Sequence, residues 1–174
     1  LYEITKKSVF LVYTKSEIKD FQGSGFFIIF NNKLVGVSNY HVFKGTTIGQ
    51  ATIKTYDGNR YKIINTILKD EENDFIIFEL DNINNNSYES LTIKDRKPKI
   101  GERVFTIGNP KGLESTLSEG IVSSLRDKYI QITVPITNGS SGGPLCDMAG
   151  NVIGITTSGI GEANLNFAID IQII

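Results

Sequence analysis

Apolar residues in this chain fall in short runs rich in β-branched and aromatic side chains, broken by polar clusters. The first runs are SVFLVY (8–13), GFFIIF (25–30), LVGVS (34–38), ATIKTY ending at Tyr56, YKIINTIL (61–68) and DFIIFEL (74–80). Between them, Asn31-Asn32 and Asp57-Gly58 are of the residue types that close β-hairpins. From Asp81 to Lys99 the chain is polar, with Asn84-Asn85-Asn86 and then Pro98, the composition of a linker. A second set follows: RVFTIG (103–108), TLSEGIVSSL (116–125), YIQITV (129–134), GPLCD (143–147), NVIGITTS (151–158) and LNFAI (165–169). No segment keeps a helical period for long, and only Asp170 to Ile174 has the look of a helix beginning. Two sets of short strands joined by one linker predict an all-β chain of two small barrels: 1–80, a linker at 81–99, and 100–174.

Composition narrows the partners. With 174 residues, 40% of them hydrophobic, the chain can bury one large core or two packed lobes. Its 18 basic and 19 acidic residues give a net charge of −1, so neither nucleic acid nor an anionic membrane is expected as a partner. No apolar run reaches the roughly 20 residues of a membrane span, and residues 1–20 lack the order of a signal peptide, so a soluble chain is expected. It begins at Leu1 rather than Met, as a processed form or an excised fragment would, which leaves the compartment open. Cys146 has no partner for a disulfide and falls inside a predicted strand, where an inert core thiol is expected rather than a nucleophile. One histidine and one cysteine give no metal-site spacing, and no metal or cofactor is expected.

Three places could carry chemistry. In N-G-S-S-G-G-P-L (138–145), glycines surround a serine between two strands. Such a loop can expose the Ser141 hydroxyl while the N–H groups of Gly139 and Ser141 converge on one point, as a tetrahedral oxyanion requires; it could equally be an ordinary glycine-rich turn. A serine hydroxyl needs a base, and the one histidine, His41, sits just past an apolar strand in L-V-G-V-S-N-Y-H-V-F. A packed histidine without function would look the same. The base needs a carboxylate to fix its tautomer, and Asp74 opens the apolar run F-I-I-F-E-L, whereas Asp70, Glu71 and Glu72 form a solvated cluster. A capping aspartate at a strand edge is the alternative. The patterns Asn138-Gly139-Ser140 and Asn85-Asn86-Ser87 fit a glycosylation acceptor, but a glycan on the first would obstruct the cleft, and both are read as chance.

Taken in order, these segments resemble trypsin-like serine peptidases, most closely the bacterial HtrA (Deg) branch. Gly23-Ser24-Gly25-Phe26 is similar to that branch's G-S-G-F, and V-S-N-Y-H-V (37–42) to its T-N-x-H-V, which carries the catalytic histidine onto His41. N-D-F-I-I-F (73–78) resembles D-L-A-V-L and carries the catalytic aspartate onto Asp74. I-G-N-P-K-G-L (107–113), S-E-G-I-V-S (118–123), G-S-S-G-G-P-L (139–145) and N-F-A-I (166–169) resemble the later segments, with Ser141 as nucleophile. The resemblance implies two perpendicular six-stranded barrels with the triad in the cleft between them, and a serine endopeptidase acting on protein or peptide substrates.

Departures from the family carry expectations of their own. Digestive relatives have an aspartate before the nucleophile that pairs with a newly cut N-terminus; here Ser140 stands there, so activation does not depend on the Leu1 amine. Six positions before the nucleophile, where trypsin has an acidic residue, stands Pro135, with Ile136 beside it, which points to a small or aliphatic P1 side chain. Asn138 and the strand Thr156, Thr157 and Ser158 are the approximate remainder of the substrate site. HtrA peptidases usually carry a PDZ module after the barrels, either absent or excised here, and that family's trimers imply a homo-oligomer. Abundant Asn and Ile fit an AT-rich bacterial genome. A barrel pair that binds peptides without hydrolysing them, or a resting enzyme switched on by a partner, stands as the competing reading.

Overall fold

The computed structural model describes residues 2–15, 20–94, 96–108, 116–136, 139–157 and 166–170. A short helix α1 (Tyr2–Thr5) leads into six strands: β1 (Val9–Lys15), β2 (Asp20–Phe30), β3 (Lys33–Ser38), β4 (Thr52–Lys54), β5 (Arg60–Asp70) and β6 (Phe75–Leu80). Six more follow: β7 (Arg103–Gly108), β8 (Thr116–Arg126), β9 (Tyr129–Ile132), β10 (Pro144–Asp147), β11 (Val152–Thr157) and β12 (Asn166–Asp170). Each set closes into an antiparallel barrel, in the order β1-β2-β3-β6-β5-β4 and β10-β11-β12-β9-β8-β7. Every run read as a strand is one. Asp170 lies at the end of β12, and residues 171–174, where a helix was expected to begin, fall outside the described residues.

In β1, β3, β6, β7 and β11 the apolar run is nearly continuous, because these strands are buried on both faces. Side chains alternate sides along a strand. On β2, Phe27 enters the core of the first barrel while Phe26 and Ile28 enter a separate cluster shared with the second barrel. Val35 and Val37 of β3 and Ile77 of β6 join that shared cluster, while Leu34, Ile76 and Phe78 point the other way. The second barrel answers with Phe105, Ile107, Ile155 and Ile169, and keeps Val104, Ile130, Leu145 and Ile153 for its own core. Each such side chain contributes about 1.5–3 kcal/mol on leaving water. Two glycines permit this density: a Cβ on Gly25 would come within 2.4 Å of the Phe10 ring, and one on Gly36 within 2.4 Å of Phe78.

Asn31 and Asn32 close the β2–β3 hairpin with φ of 51° and 63°, the left-handed pair that a tight hairpin turn requires. Asn85 supports this turn: its side chain donates to Asn32 O at 2.8 Å and accepts from Leu34 N–H at 3.0 Å. The polar connection between barrels is itself packed. Leu91 N–H donates to Phe27 O at 2.9 Å, Ile93 forms a parallel bridge with Val152, and Leu91 enters the shared cluster. Arg96 pairs with Glu102 and with the buried Asp147 of β10. Tyr88 stacks on Phe27 and turns its hydroxyl toward Thr55, Asp57, Asn59 and Tyr61; burial pushes its phenol up to about 12. Cys146 is fully buried in the shared cluster, and burial, with Asp147 beside it, pushes its thiol up.

Two outcomes follow from this packing. Ile77→Ala is expected to lower stability by about 2–5 kcal/mol in urea denaturation, since it opens a cavity between the barrels. Cys146 is expected to resist a thiol-specific chromogenic reagent in the native protein and to react once the protein is unfolded.

Candidate functional site

His41 stands where β3 ends and the chain turns. After Ser38 the backbone passes through Asn39 into a single 3-10 turn, Tyr40–Val42. Val42 and Phe43 are buried in the first barrel's core, and Thr14 Oγ1 donates to Val42 O at 2.7 Å. These anchors leave the His41 ring projecting outward, with 43% of its side chain exposed.

Asp74 meets it from the β5–β6 turn. Asp74 stands at the head of its apolar run, in the turn immediately before β6, which begins at Phe75, and has φ of 56°. Aspartate is among the few residues that tolerate this left-handed conformation. The turn brings both carboxylate oxygens onto one residue. Oδ1 accepts the His41 backbone N–H at 2.7 Å, and Oδ2 lies 2.7 Å from His41 Nδ1. The Asp74 carbonyl also accepts from Asn39 Nδ2 at 3.1 Å and from Tyr40 N–H at 3.3 Å. A carboxylate only accepts, so Nδ1 donates to it, which in a neutral imidazole leaves Nε2 as the acceptor.

The serine loop comes from the second barrel and is docked onto the first. Ser24 N–H donates to Ser141 O at 2.8 Å, Ser24 Oγ donates to Gly139 O at 2.8 Å, and Ser38 Oγ secures Ser24 O at 2.7 Å. Gly142 adopts φ of +97°, and a Cβ there would lie 2.1 Å from Ser24 O, so only glycine fits. Gly23 shows how near the pieces are: a Cβ added to it would meet Val42 at 2.9 Å and Ser141 O at 3.3 Å, one residue from His41. Behind the loop, Thr156 N–H donates to Gly143 O at 2.9 Å and Gly142 N–H donates to Thr156 O at 2.8 Å.

The structure thus bonds His41 directly to Asp74 and sets Ser141, 3% exposed, against the strand beside them. Both backbone polar groups of Thr156 go to the serine loop. Thr157 is buried and pairs in register with Phe167, while Ser158 and Asn138 lie outside the described residues. Pro135 is exposed, and Ile136 packs partly against the second barrel's core with its N–H bonded to Asn166 Oδ1 at 3.2 Å. Ser24, Ser38 and Asn39 were not singled out from sequence as site residues. The signal was present in G-S-G-F and V-S-N-Y-H, but short polar residues next to glycine or histidine also read as turns. Among the described residues, no group of His, Cys, Asp and Glu could hold a metal, and no helix is long and apolar enough to cross a membrane.

Two closed antiparallel barrels, with a His–Asp pair on one and a glycine-bounded serine loop on the other, define a trypsin-like fold. Residues 23–155 match the trypsin-like peptidase domain family, and the chain belongs to that family. Relatives named as Do-like and DegP-like serine proteases place it with the HtrA/Deg branch. It is 32% identical over 166 residues to a probable periplasmic serine protease do/HhoA-like of Haemophilus influenzae, covering 87% of this chain and 35% of that protein. It is also 32% identical over 145 residues to a probable periplasmic serine endoprotease DegP-like of Rhizobium meliloti, covering 79% and 28% respectively. The chain therefore spans about a third of the length of these curated relatives. The crystal structure of the serine endoprotease from Yersinia pestis superposes with a TM-score of 0.84 at 27% identity, covering 98% of this chain and 61% of that one.

Asp74→Asn tests the two-point bond. Its amide oxygen can keep the His41 backbone N–H, which leaves the amide NH₂ facing Nδ1. Nitrogen NMR of the single imidazole is expected to show the proton on Nδ1 in wild type and on Nε2 in the variant.

Proposed function

We propose that this chain is a serine endopeptidase domain that cleaves protein or peptide substrates through an acyl-enzyme on Ser141. The observation that carries the reading is the two-point bond from Asp74 to His41, made on the barrel to which the Ser141 loop is docked through Ser24. His41 Nε2 takes the Ser141 proton as Oγ attacks the scissile carbonyl. Asp74 holds the ring's orientation and stabilises the imidazolium that results. The N–H groups of Gly139 and Ser141 receive the negative charge of the tetrahedral oxyanion. His41 then returns the proton to the leaving amine, and water, activated in the same way, releases the acyl group.

Specificity follows from what lines the approach. Pro135 and Ile136 supply no carboxylate for a basic side chain, which favours a small or aliphatic P1 residue. Ser140 is nearly buried and uncharged, so it forms no ion pair with a terminal amine and activity does not wait on one. An assembly of several copies is the partner reading that the family suggests.

Ser141→Ala is expected to lower peptide turnover on the order of 10⁴-fold or more without changing the melting temperature. Unchanged cleavage of casein by that variant would remove Ser141 from the reaction. A peptide library varied at P1 is expected to return alanine, valine and isoleucine ahead of arginine and glutamate; preference for a charged P1 residue contradicts the pocket assignment.

A further inference from the structure

The peptide groups that follow Gly139 are steered by hydroxyls from outside the loop. Ser24, from the first barrel, holds Gly139 O with its Oγ and Ser141 O with its N–H, both at 2.8 Å. Between these two carbonyls, Ser140 O accepts from Thr156 Oγ1 at 3.0 Å, a shorter contact than the 3.3 Å from Gly143 N–H. Thr156 is fully buried on β11, and its hydroxyl also reaches Gly143 O at 3.1 Å. A peptide group is planar and trans, so the N–H of Ser141 points opposite to the carbonyl of Ser140. Whatever holds that carbonyl aims that N–H.

We infer that Thr156 is a positioning residue for the oxyanion: from behind the loop, its hydroxyl fixes the Ser140–Ser141 peptide so that the Ser141 N–H faces the charge developing on the substrate. Ser24 pins the peptides on either side from the opposite barrel. The inference rests on the peptidase reading above. It meets a physical need of this loop. Gly139 and Gly142 sit at φ of 91° and 97°, and glycine resists peptide rotation less than any other residue, so the donor's direction has to be imposed by neighbours. An oxyanion donor works only if it is aimed before the charge appears. Valine at position 156 would keep the shape and remove the proton, leaving the Ser140 carbonyl with only the longer bond.

The test measures kcat, KM and inhibition by a peptide boronic acid, whose tetrahedral adduct on the serine oxygen occupies the oxyanion position. It compares wild type with Thr156→Val, Thr156→Ser and Ser24→Ala, and records a thermal melt for each. Thr156→Val is expected to lower kcat about tenfold to a hundredfold, with boronate affinity falling in parallel and KM within about twofold. Thr156→Ser restores the hydroxyl and is expected to recover most of that loss, and Ser24→Ala is expected to show a smaller loss of the same kind. A merely structural role would lower the melting temperature and leave kcat and boronate affinity intact below it. The inference is overturned if Thr156→Val, or Ser24→Ala should the former not fold, keeps both within about twofold of wild type. Wild type that neither cleaves peptide nor binds boronate would instead overturn the peptidase reading, and the inference with it.

Discussion

The apolar face shared by the two barrels is the constraint on which the rest of the structure depends. His41 and Asp74 belong to one barrel and Ser141 to the other, so their mutual distance is set by how Phe26, Ile28, Val37 and Ile77 seat against Phe105, Ile107, Ile155 and Ile169. Interiors packed this densely deform little, and reacting groups held a fraction of an ångström from their working geometry lose rate steeply. Continuous apolar runs and a packed connection between barrels serve that one surface, while glycines beneath Phe10 and Phe78 let the first barrel's own core pack densely.

On this rigid interface sits a polar fitting made of short side chains. Ser24, Ser38 and Thr156 are buried, and each sends its hydroxyl to a carbonyl. A Cβ on Gly142 would strike Ser24 and Ser38 of the first barrel, and one on Gly23 would strike Val42 and crowd Ser141 O of the second. A buried polar group is costly without a partner, so these bonds give the barrels one preferred docking register, which apolar contact alone does not specify. The same groups that define the register also define the serine loop's shape.

Much of this was legible in the chain itself. Twelve strands among the described residues follow from twelve β-branched or aromatic runs, and those buried on both faces, such as β3, β6, β7 and β11, leave the plainest apolar signature. Asn31-Asn32 announced its turn through residue type alone. Other features had no local signal. Helix α1 spans four residues, too few for a period to appear. β2 begins at Asp20 rather than Gly25, because pairing with β1 carries Gly23, Ser24 and Gly25 into the sheet despite their weak strand propensity. The left-handed backbone of Asp74, which accompanies its two-point bond to His41, has no mark in the residue pattern. The connection at 81–99 is polar in bulk, yet Tyr88 and Leu91 within it are buried against residues far along the chain, a tertiary fact that composition does not encode. For the site, residue types gave His41, Asp74 and Ser141 as candidates and Thr156 as part of the substrate strand, while the bond from Thr156 to the serine loop was legible only once β11 was seen behind it.

The convergence of imidazole, carboxylate and hydroxyl across the two barrels is tested most directly by covalent capture. Incubation with a fluorophosphonate, followed by intact mass and peptide mapping, is predicted to yield one adduct per chain, on the peptide containing Ser141, and none when His41 is replaced by alanine. An unmodified wild-type chain, or an adduct that forms equally well without His41, would contradict the account.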